Sequence, residues 1–141
     1  MEIQLLVIII IMIACSAFFS ASETALTGAN RIRLKSMAEN GSKGAKMALK
    51  LLDRYDKVIT TILIGNNIVN ITASSLGTIL ATAIVGPDNA ALVSTVVLTL
   101  VILAFGEVMP KSLAKDHSEG LTVATSGIIT FLTFILSLIH I

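Results

Sequence analysis

Four long hydrophobic stretches dominate this sequence and restrict the folds that it can adopt. They cover residues 3–27, 58–85, 90–109 and 121–139, and each is close to the ~20 residues that a helix needs to cross the hydrocarbon of a bilayer. Hydrophobic residues make up 55% of the 141 residues and charged residues only 13%, a balance that is rare in small water-soluble domains. Because lipid cannot satisfy free backbone groups, we expect an all-α integral membrane protein.

The basic residues predict how the chain is oriented. All ten lie in two segments, eight of them between Arg31 and Lys57 and the other two at Lys111 and Lys115. The positive-inside rule places both segments in the cytoplasm. We therefore expect a multi-pass protein of the cell (inner) membrane, with its N-terminus outside and the basic loop 28–57 inside. The connection Gly86-Pro87-Asp88-Asn89, which has no Lys or Arg, is then an external turn.

Two short amphipathic helices are predicted in the basic loop, over about residues 30–55. Apolar residues recur at helical spacing on both sides of Asn40-Gly41-Ser42. Asn40-Gly41 suits the end of one helix and Ser42 the start of the next. We expect these helices to lie on the inner surface of the membrane and to form a cytoplasmic belt. A solvated basic linker is the alternative.

The last hydrophobic stretch allows two interpretations. Charge counting makes it a fourth crossing, since it starts with Asp116, His117, Ser118 and Glu119 on the cytoplasmic side. It could instead be a juxtamembrane helix over residues 121–141, because an apolar run of this length does not by itself prove a span. The chain stops at Ile141 while still apolar, so we expect a natural continuation beyond it.

Polar residues interrupt the first stretch. Ser16, Ser20, Glu23 and Thr27 are spaced four, three and four residues apart, which places them on one face of a helix. Serine and threonine often bond to their own helix or join neighbouring helices, which is the alternative for Ser16 and Thr27. Glu23 is costlier to bury, although it could pair with an arginine at the membrane surface.

The second stretch contains three asparagines, Asn66, Asn67 and Asn70, in an otherwise aliphatic helix. Asn66, Asn70 and Ser74 follow each other at steps of four and share one face. A single asparagine often bonds to a neighbouring helix and typically contributes only ~1 kcal/mol. Three asparagines favour a binding site.

The third stretch ends in Gly106-Glu107-Val108-Met109-Pro110-Lys111. Proline has no N–H, so in an α-helix Pro110 leaves the carbonyl of Gly106 without its usual partner and free to bind a cation. Glu107 adds a negative charge, and an ionisable group inside a membrane is a functional candidate. The alternative is a helix that ends at proline, with Glu107 paired to Lys111.

All of these groups are oxygen donors, and the helix rise gives their approximate depth in the bilayer. With a helix rise of ~1.5 Å per residue, Ser20, Asn66 and Glu107 are ~16, ~13 and ~6 Å from the nearest cytoplasmic basic residue, in the inner half of the bilayer. Hydroxyl, amide, carbonyl and carboxylate oxygens suit hard cations such as Mg²⁺, Ca²⁺ or Na⁺, and Mg²⁺ is the best candidate. Both histidines lie outside these clusters, so there is no nucleophile with a nearby base and no enzyme is predicted.

Three segments resemble the transmembrane domain of the CorC/CorB and cyclin M (CNNM) family of magnesium transporters. They are Phe19-Ser20-Ala21-Ser22-Glu23-Thr24-Ala25-Leu26, Leu63-Ile64-Gly65-Asn66-Asn67-Ile68-Val69-Asn70 and Phe105-Gly106-Glu107-Val108-Met109-Pro110-Lys111. The resemblance covers nearly the whole chain. It implies a homodimer with three crossings per subunit, at about 3–27, 58–85 and 90–110, so that 121–141 is juxtamembrane. It also implies a cytosolic CBS-domain pair, which is absent from this chain.

The resemblance further implies Mg²⁺ efflux, coupled to Na⁺, through a site open to the cytoplasm. Carried onto matching positions, the metal ligands are Ser20, Ser22, Asn66, Asn70, the Gly106 carbonyl and Glu107. Ser22 lies ~200° around an ideal helix from Ser20, so both reach one ion only where the helix is distorted, for example by a π-bulge. A serine that bonds to its own backbone is the alternative for Ser22.

The alternative function is a Mg²⁺-sensing membrane scaffold, which would regulate other transporters without moving the ion. In either case the expected partners are the lipid bilayer and a second copy of the chain. The net charge of +1 gives no reason to expect nucleic acid.

Overall fold

A computed structural model describes residues 2–140, without the side chains of residues 137, 139 and 140. Helices make up nearly all of it, and no strand occurs within the described range. The helices are α1 (Glu2–Gly28), α2 (Arg31–Glu39), α3 (Lys43–Asp53), α4 (Tyr55–Val85), α5 (Pro87–Val101), a π-helical segment (Ile102–Val108), α6 (Met109–Asp116) and α7 (Ser118–His140). The predicted all-α membrane fold is confirmed.

Within the described residues, four helical stretches are long and apolar enough to cross a membrane. They are Glu2–Gly28, Tyr55–Val85, Pro87–Asp116 and Ser118–Leu136, and the third of them joins α5, the π segment and α6. The count is one higher than the three crossings that the resemblance implies. The additional stretch lies in α7, which carries no Asp, Glu, Lys or Arg after Glu119.

The connection between α4 and α5 is shorter than the predicted four-residue turn. Gly86 alone separates the two helices, with φ 85°, a left-handed conformation that suits glycine. Pro87 is already the first residue of α5, where its fixed φ fits and its missing N–H is not needed. Three of the four residues predicted to form the turn, Pro87, Asp88 and Asn89, therefore begin α5.

The chain forms two compact units by its internal packing. Unit 1 contains the chain up to Ser20 together with Gly65–Pro110, and unit 2 contains Ala21–Ile64 together with the chain from Lys111 onward. In unit 1, the absence of a side chain at Gly77 on α4 lets Leu98 of α5 approach closely. The hydroxyls of Thr78 and Ser94 lie 3.3 Å apart across the same pair of helices.

Unit 2 contains the two predicted amphipathic helices, α2 and α3. The N–H of Gly41 donates to the carbonyl of Ala38, and the N–H of Ser42 donates to the carbonyl of Met37, both at 3.1 Å. This pair of bonds is the Schellman motif that ends a helix. The hydroxyl of Ser42 accepts from the N–H of Ala45 at 3.1 Å and so caps α3. The predictions for the end of α2 and the start of α3 are confirmed.

The apolar faces of α2 and α3 are buried in unit 2. Leu34, Ala45 and Ala48 are fully buried, and Val123 of α7 packs against them. A Cβ at Gly44 would lie 2.6 Å from Cγ1 of Val123, so glycine permits the close approach of α3 and α7. This packing favours structured helices over a solvated linker.

Candidate cation site

Ser16 joins the three stretches of unit 1 that carry the predicted polar clusters. The side chain is fully buried on α1, and its hydroxyl donates to Oδ1 of Asn66 on α4 at 3.0 Å. The same hydroxyl oxygen lies 3.1 Å from the position that a Cβ on Gly106 would occupy. A larger residue at position 106 would press on Ser16, so Gly106 lets the π segment approach both helices.

A second close approach aligns α1 with α4. A Cβ on Gly65 would lie 2.7 Å from Cζ of Phe19, so the aromatic ring occupies the space that a side chain at position 65 would need. Phe19 precedes Ser20, and Gly65 precedes Asn66. The contact therefore fixes the register of the two helices where their predicted ligands lie.

Two predicted ligands of unit 1 have buried oxygens that are unpaired within the described part of the chain. Ser20 is only 1% exposed, and both its Oγ and the Oδ1 of Asn70 are buried without a hydrogen bond to any described residue. Leaving such a group unpaired typically costs ~1–3 kcal/mol. A cation would supply the missing partner for both oxygens.

Ser22 has the same property in unit 2. It is 2% exposed, and its Oγ also has no partner among the described residues. The backbone-bonded alternative therefore does not apply to it. Because α1 is a regular α-helix from Glu2 to Gly28, Ser22 and Ser20 lie on different sides of this helix. The distortion that would direct both toward one ion is absent from α1, and the role of Ser22 stays a prediction.

The helical distortion lies instead in the third stretch, over Ile102–Val108. In this segment the N–H of Met109 donates to the carbonyl of Ala104, five residues back. A residue with an N–H at position 110 would donate to the carbonyl of Phe105 in this register and to that of Gly106 in an α-helix. Because Pro110 has no N–H, neither carbonyl accepts a bond from it. In the π register Pro110 thus frees the carbonyl of Phe105, whereas in the α-helix that the sequence predicts it frees that of Gly106.

Glu107 lies in the π segment and is half-buried. The ion pairs among the described residues are Arg31 with Asp53 and Arg33 with Glu119, so neither Glu107 nor Glu23 is neutralised by a basic side chain there. The same part of the chain contains no group of three or more His, Cys, Asp and Glu side chains. Any cation site here relies on neutral oxygens with few carboxylates.

Sequence reasoning missed the central role of Ser16. The four-residue step from Ser16 to Ser20 placed it on the polar face, but serines in membrane helices often bond to their own backbone. Its partner Asn66 lies 50 positions away in the sequence, and no local pattern identifies such a pair. Thr27 follows the alternative interpretation, because its hydroxyl lies 3.0 Å from that of Tyr55 on α4.

Comparison with known proteins identifies relatives of this chain. The family model described as the cyclin M transmembrane N-terminal domain matches residues 7–141. A UPF0053 protein of Haemophilus influenzae is 43% identical over 128 residues, which are 91% of this chain and 30% of that protein. The UPF0053 inner membrane protein YfjD of Escherichia coli is 46% identical over 111 residues, 79% of this chain and 26% of that protein.

The name of a third relative states a function. The polyamine export protein of Salmonella typhimurium is 40% identical over 70 residues, which are 50% of this chain and 16% of that protein. This chain thus spans less than a third of the length of each of these relatives. The family match extends over nearly all of the chain, including the three segments that carry the candidate ligands. The chain therefore belongs to the cyclin M (CNNM) family of transmembrane domains.

Proposed function

We propose that this chain is the membrane part of a Mg²⁺ transporter that exports the ion with Na⁺ as the coupling ion. The observation that carries the proposal is that two predicted ligands of unit 1, Ser20 and Asn70, each have a buried oxygen without a hydrogen-bond partner among the described residues. Lipid offers no hydrogen-bond donor to compensate them. A hard cation compensates such oxygens directly.

The donor set also suits an ion that must leave again. One carboxylate, Glu107, would attract a divalent ion, while hydroxyl, amide and carbonyl oxygens would supply geometry. A single negative charge leaves a doubly charged ion incompletely neutralised. Transport requires binding that is strong enough for entry and weak enough for release. Mg²⁺ also gives up its water reluctantly, so water would complete its six positions.

Ser16 would act as a positioning residue for this site. Its hydrogen bond to Oδ1 of Asn66 occupies one lone pair of that oxygen and leaves the second for a cation. The contact with Gly106 holds the π segment beside the same asparagine. Ser16 would thus orient one ligand and place the segment that carries Glu107, without binding the ion itself.

The same proposal includes the setting of the site. The N-terminus lies outside the cell (inner) membrane, the basic loop 28–57 lies in the cytoplasm, and the site opens to the cytoplasm. Two copies of the chain form a homodimer, and a cytosolic CBS-domain pair completes the protein. The distribution of basic residues supports the orientation, and the family membership supports the rest.

Ion flux in liposomes tests the proposal. Purified chain would be reconstituted in Mg²⁺-loaded liposomes, and Mg²⁺ release would be followed with a fluorescent indicator, with and without an external Na⁺ gradient. We expect flux that rises with the gradient and that Glu107→Gln removes. Mg²⁺ binding without flux would contradict transport by this chain and support the alternative of a Mg²⁺-sensing scaffold.

The name of the Salmonella relative favours a second candidate function, the export of a polyamine. The ammonium groups of a polyamine also need oxygen acceptors. However, these groups are separated along the molecule, so an extended polycation is best held by several spaced carboxylates. Glu107 is the sole carboxylate in the π segment, and the other predicted ligands, Ser20, Ser22, Asn66, Asn70 and the Gly106 carbonyl, are neutral. This arrangement favours a compact ion.

The same liposomes separate the two candidates. Loading them with radiolabelled spermidine in place of Mg²⁺ measures polyamine release directly. We expect no spermidine flux above that of protein-free liposomes, and no inhibition of Mg²⁺ flux by spermidine. Spermidine release that exceeds Mg²⁺ release would assign the chain to polyamine export instead.

A further inference from the structure

Unit 2 contains a cavity that the cation site does not use. Its volume is about 660 Å³, and it lies between α3, the start of α4 and α7. This volume falls within the range of pockets that hold small organic molecules, roughly 300–1,000 Å³. The charged lining consists of Lys50, Asp53, Arg54 and Lys57, while Thr130 and Phe134 line the side formed by α7.

The cavity carries a net positive charge that the described residues do not compensate. Its one acid, Asp53, already accepts a hydrogen bond at 2.8 Å from Arg31, with which it forms an ion pair. The described residues contain no ion-pair partner for Lys50, Arg54 or Lys57. Three cations thus face one cavity beside an acid that is paired elsewhere, an arrangement suited to an anionic ligand.

The lining changes from polar to apolar across the cavity. Lys57 directly precedes Val58, where the hydrophobic part of α4 begins, so the basic side lies at the level of a membrane surface. Leu51 from α3 and Phe134 from α7 line the cavity together with the cations. Phe134 is 62% exposed, which leaves an aromatic surface free to contact a hydrocarbon chain.

A free phosphate ion would use only the basic part of this lining. An anionic phospholipid would use all of it, because its phosphate can accept from the lysines and the arginine while its acyl chain covers Leu51 and Phe134. The hydroxyl of Thr133 already donates a hydrogen bond to the carbonyl of Ile129 at 2.8 Å. Thr130, which is exposed, offers a further hydroxyl to a headgroup.

We propose that this cavity binds the phosphate headgroup of an anionic membrane phospholipid, with Lys50, Arg54 and Lys57 as its cationic ligands. Basic juxtamembrane residues gain roughly 1 kcal/mol each from an anionic lipid surface, which corresponds to about a fivefold change in binding. The bound lipid would tie α3, α4 and α7 of unit 2 together.

Thermal unfolding of the purified chain in a neutral detergent tests this site. The probes are short-chain phosphatidylglycerol, phosphatidylcholine with the same acyl chains, and inorganic phosphate. The cavity variant combines Lys50→Gln, Arg54→Gln and Lys57→Gln. The matched control combines Lys35→Gln, Lys43→Gln and Lys46→Gln, which remove the same charge from exposed positions of α2 and α3 outside the cavity.

We expect phosphatidylglycerol to raise the melting temperature of the wild type and the control at the same concentration. The cavity variant should need about a hundredfold more lipid, the product of three fivefold effects. If that variant does not fold, Lys57→Gln alone should weaken binding about fivefold. Equal weakening in the control would overturn the proposal, and so would equal stabilisation by phosphatidylcholine or by inorganic phosphate.

Discussion

Helices α1 and α7 both contain buried hydroxyl groups, but two of those on α1 lack the hydrogen bonds that the hydroxyls of α7 make. On α7, Thr122 donates to the carbonyl of Ser118 at 2.7 Å, and Thr133 donates to that of Ile129 at 2.8 Å. On α1, Ser20 and Ser22 are equally buried, yet their hydroxyls have no partner among the described residues. These two serines of α1 therefore lack the hydrogen-bond partners that the two threonines of α7 have, whereas Ser16 of α1 is bonded to Asn66.

This difference separates structural hydroxyls from candidate ligands. A hydroxyl that bonds to the carbonyl four residues back carries its partner within its own helix and needs nothing else. A buried hydroxyl without a partner is costly, so its retention requires a second benefit. For Ser20, we infer that this benefit is contact with a cation.

The largest expected effect comes from Glu107, the carboxylate of the predicted ligand set. Glu107→Gln should abolish the stabilisation by Mg²⁺, which at about a hundred times the Kd amounts to ~2.7 kcal/mol. The substitution removes the only charge in the predicted ligand set. Thermal unfolding of the purified chain across Mg²⁺ concentrations measures the effect.

Glu119→Gln at the start of α7 is the matched control. Its partner Arg33 lies at 3.7 Å and is largely exposed, and such surface pairs contribute little. The Mg²⁺ response of this variant should equal that of the wild type. A normal Mg²⁺ response in Glu107→Gln would remove the proposed site.

An intermediate effect is expected from Gly106→Ala. The added Cβ would lie 3.1 Å from Oγ of Ser16, which should disturb the bond to Asn66 and destabilise the chain by ~1–3 kcal/mol. Adding Ser16→Ala removes the crowded oxygen, and the nearest remaining atom of residue 16 is then its Cβ, at an ordinary 3.5 Å.

A double-mutant cycle on unfolding free energies measures this coupling. The cost of Gly106→Ala should fall by at least half in the Ser16→Ala background. Strictly additive effects would show that Ser16 does not link α1 to the π segment.

The smallest effects are expected from removing one buried hydroxyl on each helix. On α1 the removal should lower Mg²⁺ affinity, and on α7 it should lower stability. Ser20→Ala removes an unsatisfied hydroxyl, so stability without Mg²⁺ should stay the same or rise by up to ~1 kcal/mol, while Mg²⁺ affinity falls. Thr122→Val removes a satisfied hydroxyl at similar volume, so stability should fall by ~1 kcal/mol with Mg²⁺ affinity unchanged.

Melting curves with and without Mg²⁺ give both quantities for each variant. If Ser20→Ala destabilised the ion-free chain as Thr122→Val does, Ser20 would be a structural hydroxyl, and the contrast between the two helices would disappear.

Much of the fold follows from local features of the sequence. The lengths of the hydrophobic stretches identify the membrane helices, and Gly41 and Ser42 mark the break between α2 and α3. Local rules were less successful where backbone geometry departs from an ideal α-helix. Pro110 indicated a free carbonyl at Gly106, but the π register that also involves Phe105 depends on packing along the whole segment. Ser20 and Ser22 could share an ion only if α1 were distorted, but the distortion lies in the third stretch.

The sequence alone determined that this chain is a membrane protein, which oxygen donors it can offer and which family it resembles, because hydrophobic length, residue type and short motifs are local properties. The tertiary structure decided which of those oxygens remain available. Whether a hydroxyl is satisfied depends on neighbours that are distant in the sequence, such as Asn66 for Ser16, 50 positions away. Ser16 uses its hydroxyl in that contact, whereas Ser20 and Asn70 have oxygens without a partner among the described residues, which a cation could bind.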